Sequence, residues 1–467
     1  MNRMAGHLWP RLLAEAWAAL GAGTGDADGA PLPAGLEVTG EPGWLPSRLP
    51  VEDTAIACAG AALLAAAALQ ARRGGPVSRG AGLDREHVAA AFLSEAYVRL
   101  NGEPAVAGFA PLSRFWRASD GWVRTHGNYP WHREALLRAL GTTDDPESVA
   151  SAITGLRARD VENLVVGAGG VAAAVRGEAD WLAEPAGRAV AAARLIEGGA
   201  IGSAPPRRRV PGPLPASGIR VLDLTRVIAG PVATRYLAAL GADVLRLDSP
   251  DRPELPLQTY DGLLGKRSAL LDLGTRDGAA RLHELLGAAD VLVHGYRPHA
   301  LDRFGLTPAA LAERHPGLVV VSLSAWGRIG PWGGRRGFDS IVQAACGIAA
   351  AESADGDRPG AMPCQLLDHG TGYLCAAAAL RALAQQAGQG GTQVRELCLA
   401  RTAHWLLGQP REGAGGSKPR TDRAWLTEID RSGERVTVVR PLGRLDGQDL
   451  AWPPALTRYG SDPPAWR

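Results

Sequence analysis

The chain has little lysine, little cysteine and little net charge. Its 467 residues include 50 basic ones, of which only Lys266 and Lys418 are lysines, and the formal net charge is +2. A nearly neutral chain with 46% hydrophobic residues is typical of a globular enzyme and argues against a nucleic-acid-binding protein. Arginine supplies almost all of the positive charge. A lysine that is present despite this bias, such as Lys266, is therefore a candidate for a functional role.

The five cysteines lack the C-x-x-C and Cys/His spacings of metal sites and are scattered through apolar segments. This pattern predicts reduced, buried thiols, with neither a disulfide framework nor a bound metal. The longest apolar run, residues 55–69, is short and alanine-rich for a membrane span, and residues 1–10 lack a signal-peptide pattern. We therefore expect a cytoplasmic protein with no membrane partner.

Two nucleotide-binding motifs are missing as well. Where the dinucleotide fingerprint G-x-G-x-x-G would stand, residues 225–231 read TRVIAGP. The run GAGGSK at residues 413–418 only resembles a P-loop, because Ser417 precedes the lysine where that motif has glycine. The sequence therefore does not favour an NAD site.

The most informative stretch that is present is residues 362–380, MPCQLLDHGTGYLCAAAAL. Asp368 ends a short apolar run, Gly370 and Gly372 follow, and an alanine-rich helix begins. One interpretation is a helix N-cap, a role in which aspartate is among the best residues. The other is a carboxylate nucleophile beside free backbone N–H groups. Glycine in the first helical turns costs about 1 kcal/mol, so the two glycines predict a close approach to the backbone.

A weak internal repeat links this stretch to residues 50–75. In both places an acid, Asp53 or Asp368, precedes an alanine-rich helix, a glycine-rich break and a second helix, expected at residues 83–100 and 392–407. Chance similarity between two alanine-rich helices is the alternative. The residues after Asp53 read T-A-I-A, whose side chains crowd an incoming ligand, whereas H-G-T-G follows Asp368. We therefore expect Asp368, and not Asp53, to be the reactive acid.

Shifts in composition divide the chain into six segments. The first segment is poorly patterned, with one helix at residues 7–20 (1–52). The second has helices and a small α+β module with a hairpin at residues 116–126, and its last helical stretch ends at residues 191–199 (53–203). Then come a Pro/Arg-rich linker (204–217), an α/β domain (218–408), a flexible connector (409–422) and a C-terminal strap (423–467), in which the residues from Ser432 onward suggest a terminal hairpin or strap.

Short apolar strands alternate with helices in the α/β domain. This alternation predicts a parallel, doubly wound sheet, and ligands of such sheets bind at the carboxyl ends of the strands. The predicted strands are GIRVLDL (218–224), ADVLRLD (242–248), GKRSALLDL (265–273), ADVLVHGY (289–296) and GLVVVSLSAW (317–326).

Five blocks in this region carry a family resemblance. They are residues 221–248, 265–273, 289–306 and 319–347 and the Asp368 segment, in that order. This set resembles the first half of the class III (CaiB/BaiF-type) CoA-transferases, to which formyl-CoA:oxalate and carnitine CoA-transferases belong. The resemblance covers residues 217–410. It implies a Rossmann-like CoA-binding domain, coenzyme A as co-substrate and Asp368 as the nucleophile.

The same resemblance implies a set of ligand contacts. Gly370 and Thr371 would offer backbone N–H donors to an oxyanion at the helix start. A cationic rim would include Lys266 and Arg267, for which an exposed turn with solvated charges is the alternative. The residues expected along CoA are Arg226, Val227, Ala229, Lys266, Arg267, Tyr296, Arg297 and Arg303. Many relatives carry Asn where this chain has Gly295.

Residues 53 to about 200 resemble the other half of the same fold. The resemblance thus implies a degenerate tandem of two trimmed copies in permuted order, a Rossmann-like parallel sheet with a second, smaller α+β domain. Such a chain would form a pseudo-dimer within one polypeptide, or a homodimer.

Three functions remain open from the sequence. The first is a transferase that moves CoA between an acyl-CoA and a small carboxylic acid through aspartyl anhydride and aspartyl-CoA intermediates. The second is an acyl-CoA racemase, which needs a second acid/base, usually a histidine where this chain has Phe338. The third is a non-catalytic CoA-binding protein. His369 adjoins Asp368, but neighbouring residues at a helix start point apart, so it does not replace the missing base.

Overall fold

The computed structural model describes residues 7–21, 32, 35–105, 108–411, 423–453 and 456–467. The predicted connector 409–422 therefore lies almost wholly outside the described residues. Within them the α-helices are α1 (Trp9–Gly21), α2 (Val51–Arg72), α3 (Arg85–Ala91), α4 (Pro130–Leu140), α5 (Pro146–Thr154), α6 (Ala158–Gly167), α7 (Glu178–Ala183), α8 (Pro185–Ala192), α9 (Ala229–Ala239), α10 (Gln258–Asp261), α11 (Arg276–Gly287), α12 (Pro308–Arg314), α13 (Asp339–Cys346), α14 (Ile348–Ala351), α15 (Leu366–Gln389) and α16 (Leu399–Leu407).

The strands form four sheets. In chain order they are β1 (Leu36–Thr39), β2 (Ala81–Asp84), β3 (Arg99–Leu100), β4 (Glu103–Pro104), β5 (Phe115–Ala118), β6 (Gly121–Thr125), β7 (Ala172–Ala174), β8 (Glu197–Ile201), β9 (Arg220–Leu224), β10 (Asp243–Asp248), β11 (Arg267–Leu270), β12 (Val291–His294), β13 (Val319–Ser324), β14 (Thr392–Cys398), β15 (Leu426–Arg431), β16 (Glu434–Val439), β17 (Arg444–Leu445) and β18 (Gln448–Asp449).

The largest sheet has seven strands in the order β11-β10-β9-β12-β13-β14-β8, all parallel except the edge strand β8. Its strands are short runs of buried valine and leucine, as expected for a sheet covered on both faces. The chain enters at β9, builds β10 and β11 to one side and then continues on the other side with β12. The strand order therefore reverses between β9 and β12, and the predicted parallel α/β sheet is confirmed.

Two segments of this sheet differ from the sequence-based expectation. Residues 392–407 were expected to be one helix, but Thr392–Cys398 form the interior strand β14, since Gly390 and Gly391 adopt positive φ and end α15 before it. Residues expected at the end of a helix near 197 instead form β8, which pairs with β14. A strand from the N-terminal part of the chain thus completes the main sheet.

The linker 204–217 is fixed against this sheet. Arg209 forms an ion pair with Asp290, and Arg207 donates a hydrogen bond of 2.6 Å to the carbonyl oxygen of Pro316.

The hairpin predicted at residues 116–126 is present, and a second hairpin lies in the C-terminal strap. Strands β5 and β6 join at residues 119–120 and pair with β7 beneath α4–α6, which forms the small α+β module. Near the C-terminus β15 and β16 turn at Ser432 and Gly433, both with positive φ, and β16 pairs with β3. The C-terminal strap thereby ties to the N-terminal half of the chain.

The two long alanine-rich helices, α2 and α15, pack against each other in the largest core cluster. In the described part of the chain, α2 alone is long and apolar enough to cross a membrane, but 83% of its most apolar window is buried inside the protein. That burial is the position of a core helix. The five cysteines are all buried and unpaired by disulfides, as predicted.

The glycines after Asp368 serve helix packing. A Cβ at Gly372 would lie 2.5 Å from the carbonyl oxygen of Ala229, at the start of α9. A Cβ at Gly370 would lie 3.3 Å from the Sγ of Cys58 in α2. The predicted close approach to the backbone is therefore made by neighbouring helices and not by a ligand.

Candidate active site

A cavity of about 310 Å³ opens at the carboxyl ends of β9, β12 and β13. It lies where the strand order reverses, which is the place where ligands bind in open α/β sheets. Its lining comes from the loops after β9 and β12, residues 323–325 at the end of β13, residues 335–338 before α13, Leu399 at the start of α16, and Tyr129, Trp131 and His132 of the small module. The side chain of Asp368 lines it as well.

The loop after β9 has a strained turn at its centre. Val227 has a φ of +68°, a conformation that β-branched residues rarely adopt, and its N–H donates to Glu254 Oε2 at 3.0 Å. Helix α9 begins two residues later. A Cβ at Gly230 would lie 2.2 Å from Thr225 Cβ, so glycine lets the helix approach the strand end.

The start of α9 offers free donors to the cavity. The backbone N–H groups of Ala229 and Gly230 precede the first hydrogen-bonded turn and have no acceptor among the described residues. Both residues line the cavity. The positive end of the helix dipole therefore faces the same space as Asp368.

Asp368 is the third residue of α15 and is 5% exposed. Its carboxylate oxygens have no hydrogen-bond partner in the described part of the chain. Burial raises the pKa of Asp368 well above its ordinary value, and the nearby acids Asp339 and Glu95 raise it further. The molecule thus keeps an unsatisfied carboxyl group at the edge of a cavity.

The role of helix cap is taken by another acid. Asp339, the first residue of α13, accepts the backbone N–H of Asp368 at 3.1 Å and a hydrogen bond from Gln343. Asp368 itself makes no capping hydrogen bond, so its interpretation as an N-cap is wrong. Burial raises the pKa of Asp339 to about 6.

His369 faces away from the cavity. Its Nε2 lies 3.1 Å from Glu95 Oε2, and its side chain is fully buried. Burial acts to raise the pKa of Glu95, but the charge and hydrogen bond of His369, the backbone N–H of Glu95 and the charge of Arg235 together lower it below its ordinary value. His369 therefore offsets a second buried acid and, as expected, is not available as a base at Asp368.

Aromatic residues of the small module and Phe338 form one wall of the cavity. Tyr129 and Trp131 stack at a centroid distance of 4.7 Å, and His132 meets Phe338 edge to face at 5.7 Å. Sequence reasoning missed these residues as site residues. The cluster NYPWH marks an aromatic-rich turn, but nothing in the sequence places that turn on the cavity.

Several guanidinium groups surround the cavity. Arg226 lies over the Tyr129 ring at 4.9 Å and faces Glu254 at 3.7 Å, and Arg335 pairs with Glu162 at 2.9 Å. Arg297 and Arg336 are exposed and have no carboxylate partner among the described residues. This excess of positive charge suits an anionic ligand.

The structure brings six predicted site residues to this one cavity. They are Arg226, Val227, Ala229, Tyr296, Arg297 and Asp368.

The other predicted contacts lie elsewhere. Lys266 is fully buried with its Nζ 2.9 Å from Asp223 Oδ2, and burial lowers the pKa of Lys266 to about 8. Arg267 pairs with Asp243 at 2.9 Å. Both stand at the start of β11, the edge of the sheet opposite the cavity, because the amino ends of parallel strands share one edge. Arg303 is exposed and lies over the Phe304 ring at 4.6 Å.

Gly370 and Thr371 do not supply the expected oxyanion donors. Helix α15 begins at Leu366, and the N–H of His369 already bonds to the carbonyl oxygen of Gln365 at 3.0 Å. The following N–H groups are therefore engaged inside the helix. The Thr371 hydroxyl lies 2.7 Å from that of Thr402.

Asp53 occupies the matching position in α2 but a different environment. It accepts the N–H groups of Leu8 at 2.5 Å and Trp9 at 3.2 Å, and Arg85 lies 3.6 Å from its other oxygen. Asp53 does not line the cavity.

Comparison with known proteins gives a consistent result. Residues 216–423 match the family model described as CoA-transferase family III. The chain is 32% identical to a probable fatty acyl-CoA transferase of Mycobacterium tuberculosis over 198 aligned residues. The aligned region covers 40% of this chain and 50% of that protein. It is 31% identical over 286 residues to a formyl-CoA:oxalate CoA-transferase of Streptomyces avermitilis, spanning 53% of this chain and 69% of that protein.

Solved structures of similar proteins include a crystal structure of the Mycobacterium tuberculosis protein, at 32% identity and a TM-score of 0.38, covering 42% of this chain and 57% of that one. A CAIB/BAIF family protein from Brucella suis has 23% identity and a TM-score of 0.38, covering 48% of this chain and 65% of that one.

The chain spans half or less of the length of some relatives, including 34% of an acetyl-coenzyme A transferase of Hypoxylon pulicicidum. It nevertheless covers more than two thirds of the Streptomyces avermitilis relative at 31% identity. The chain therefore belongs to family III of the CoA-transferases.

Proposed function

We propose that this chain transfers CoA from an acyl-CoA to a small carboxylic acid, with Asp368 as the nucleophile. The observation that carries the proposal is the unpartnered, buried carboxyl group of Asp368 at the switch-point cavity, beside the free N–H groups of Ala229 and Gly230. Several relatives are named as CoA-transferases, which supports the same reaction class. A cytoplasmic location remains a prediction.

The chemistry begins with attack of an Asp368 oxygen on the thioester carbonyl carbon. The C=O electron pair moves to oxygen, and collapse of this oxyanion breaks the C–S bond and releases CoA thiolate. The product is an acyl-aspartyl anhydride. The thiolate then attacks the aspartyl carbonyl carbon, the donor acid leaves as a carboxylate, and an aspartyl-CoA thioester remains.

The acceptor acid completes the cycle in the reverse order. Its carboxylate attacks the aspartyl thioester and releases thiolate, which attacks the acceptor's acyl carbon and restores the Asp368 carboxylate. Each attack creates an oxyanion, and the N–H groups of Ala229 and Gly230 at the positive end of α9 are suited to bind it. No step needs a metal or an added base.

The surroundings of Asp368 fit these intermediates. Anhydrides and thioesters hydrolyse in water, and the wall of Tyr129, Trp131, His132 and Phe338 limits access of water to the carboxylate. The exposed Arg297 and Arg336 at the cavity give the phosphates of CoA a cationic surface. CoA is thus a co-substrate in this proposal.

We also infer that the chain acts as a pseudo-dimer of two trimmed copies. The elements α2–β2–α3 and α15–β14–α16 follow the same order, and Asp53 and Asp368 are each the third residue of their helix. One cavity takes its wall from residues 129–132 and its acid from Asp368. The molecular mass in solution distinguishes a single-chain pseudo-dimer from a homodimer.

A racemase is the second candidate, because the family resemblance extends to such enzymes. It needs a proton-transfer group where this chain has Phe338, which cannot carry a proton. We therefore expect no deuterium at the α-carbon of 2-methylacyl-CoA after incubation in deuterated water, as followed by NMR. Exchange at a catalytic rate would favour the racemase.

The central test is covalent capture. The protein is incubated with acyl-CoAs from acetyl to long-chain, with and without hydroxylamine, and intact mass spectrometry is followed by peptide mapping. We expect a CoA adduct, converted by hydroxylamine to a hydroxamate at Asp368, with Asp53 unmodified. An adduct at another residue, or full activity in Asp368→Asn, would contradict the proposal.

A further inference from the structure

His132 is the one imidazole among the described residues that lines the Asp368 cavity. It is the third residue of α4 and is 6% exposed. Its ring is held by Tyr129, Trp131 and Phe338 at centroid distances of 5.7, 5.9 and 5.7 Å, all near edge to face. Such packing fixes the direction in which the ring nitrogens point.

The two nitrogens of this ring differ. Nδ1 is sealed inside the protein and has no hydrogen-bond partner in the described part of the chain. Nε2 has no protein partner in the described part of the chain either. Unlike Nδ1, it is not fully buried, so it is the nitrogen that can contact a ligand in the cavity. A buried polar atom without a partner is uncommon in native proteins and calls for a functional explanation.

The charge state of His132 is also defined by its surroundings. Burial, together with the guanidinium groups of Arg336, Arg226, Arg252 and Arg297, lowers the pKa of His132 to about 3. The ring is therefore neutral at working pH and carries one N–H. A proton on Nε2 faces the cavity, whereas a proton on the sealed Nδ1 would find no acceptor.

We propose that His132 is a catalytic residue whose Nε2–H donates a hydrogen bond to the thioester oxygen while Asp368 attacks. This rests on the proposed transferase function. The C=O electron pair moves to oxygen, the N–H binds the resulting oxyanion, and no proton is transferred. Gly370 and Thr371 cannot fill this role because their N–H groups are engaged inside α15.

A neutral donor suits this reaction for a physical reason. An imidazolium would form an ion pair with the Asp368 carboxylate and weaken it as a nucleophile, whereas a neutral N–H does not. Neutral imidazoles that polarise a carbonyl group are an established catalytic device. Together with the N–H groups of Ala229 and Gly230, His132 would complete a set of donors around one oxygen.

His126 provides a matched control within the same aromatic cluster. It stacks on Phe338 at 3.9 Å, is buried, and also has an Nδ1 without a partner. Burial, His132 and Arg124 lower its pKa to about 3. The difference is that His126 does not line the cavity.

The experiment compares three variants of the full chain, His132→Phe, His132→Gln and His126→Phe, by steady-state kinetics, thermal unfolding and CoA-adduct formation. We expect His132→Phe to lower kcat by about 100- to 1000-fold, with KM for acyl-CoA changed less than about threefold. His132→Gln retains an N–H donor, so its kcat should be at least about tenfold higher than that of His132→Phe. His126→Phe should keep kcat within about threefold.

Several outcomes would overturn the assignment. Unchanged kcat in His132→Phe, or equal kcat losses in the His126 and His132 variants at matched stability, would make the ring a structural element. Deuterium exchange that disappears in His132→Phe would make it a base. If the wild-type chain forms no Asp368 adduct with any acyl-CoA, the proposed function itself fails. An adduct in the wild type with normal turnover in His132→Phe refutes this inference alone.

Discussion

Asp53 and Asp368 occupy the same position in two helices that pack against each other, yet they meet opposite environments. Each is the third residue of a long, buried, alanine-rich helix. Asp53 accepts two backbone N–H groups and faces Arg85, whereas the oxygens of Asp368 have no partner among the described residues. The difference teaches that the start of a helix does not make an acid reactive. What matters is whether the fold satisfies the charge.

The first helix of the chain creates this difference. The apolar face of α1, with Leu12, Leu13 and Trp17, packs in the core cluster of α2 and brings its own N-terminus to Asp53. At α15 the capping carboxylate comes from Asp339, which leaves Asp368 free to face the cavity. A satisfied acid stabilises the fold, and an unsatisfied one is retained at the expense of stability, as is common at functional sites.

The largest expected effect is on catalysis. Asp368→Asn keeps the shape of the side chain but cannot form an anhydride, so we expect turnover to fall by at least about 10⁴-fold, about 5 kcal/mol in activation free energy. Asp53→Asn should retain activity within about threefold of wild type wherever the protein is folded. Acyl-CoA turnover measured by chromatography, with circular dichroism to verify folding, tests both. Equal losses in the two variants would remove the contrast between the sites.

Asp223 extends the comparison to a third buried acid, one with many partners. It accepts hydrogen bonds from Thr225 and Thr234 and pairs with Lys266. Lys266→Met leaves this carboxylate without its counter-charge and should lower the free energy of unfolding by about 3–5 kcal/mol. CoA affinity of the folded fraction should not change, because Lys266 does not line the cavity.

The matched control is the double variant Asp223→Asn/Lys266→Met, which removes both charges and should recover much of the lost stability. Urea unfolding and calorimetric titration with CoA are the measurements. A loss of CoA affinity without a loss of stability would restore Lys266 as a ligand contact.

Stability should respond in opposite directions at the two helix starts. Asp53→Asn weakens charge-assisted hydrogen bonds and should lower the free energy of unfolding by about 1.5–3 kcal/mol. Asp368→Asn should raise the free energy of unfolding at pH 7, because burying the charged carboxylate costs stability.

The sign of the Asp368 effect follows from its raised pKa. Between about pH 4, where aspartate ionises in the unfolded chain, and the higher folded pKa, the unfolded chain binds fewer protons. Stability therefore falls as pH rises through this window. Asparagine does not ionise, so the decrease in the free energy of unfolding with rising pH should be smaller in Asp368→Asn. A loss of stability in this variant across pH 5–8 would contradict the assignment of an unsatisfied acid.

The smallest expected effect is a shift in pH dependence. Asp368 becomes a nucleophile only when ionised, and burial with Asp339 and Glu95 raises its pKa, while the pKa of Asp339 is about 6. We expect kcat/KM to rise with pH through a limb that lies above the ordinary range of an aspartate. Asp339→Asn removes a like charge beside Asp368 but keeps an acceptor for the Asp368 N–H. The limb should therefore move to lower pH by about one pH unit. Asp53→Asn should leave it in place, and an upward shift in Asp339→Asn would refute the coupling.

Local signals in the sequence were enough for a large part of this result. Alternating apolar runs and helices predicted the parallel sheet, and the rule that ligands bind at carboxyl ends placed Arg226 and Tyr296 on one cavity. The turn residues near Asp120 predicted the hairpin of β5 and β6. The apolar run before Asp368 and the helix after it marked the candidate acid.

Other features depend on contacts between distant segments. Gly372 serves the approach of α9, Lys266 is buried against Asp223, and residues 392–398 are a strand because β13 and β8 lie on either side of them. The local sequence is the same whether a glycine contacts a helix or a ligand, whether a lysine is buried or exposed, and whether a short apolar run is a helix or a strand. These three features therefore cannot be predicted from neighbouring residues.

The sequence by itself determined most of the helices and strands, the parallel order of the main sheet and the identity of the two acids, because periodicity and turn chemistry act between residues close in the chain. Only the tertiary structure decided which acid is free. The start of α1 binds Asp53 across 44 residues, Asp339 caps α15 across 29, and His132 reaches the cavity from the small module. Burial and hydrogen bonding are properties of the packed molecule, and they set the reactivity of a carboxyl group.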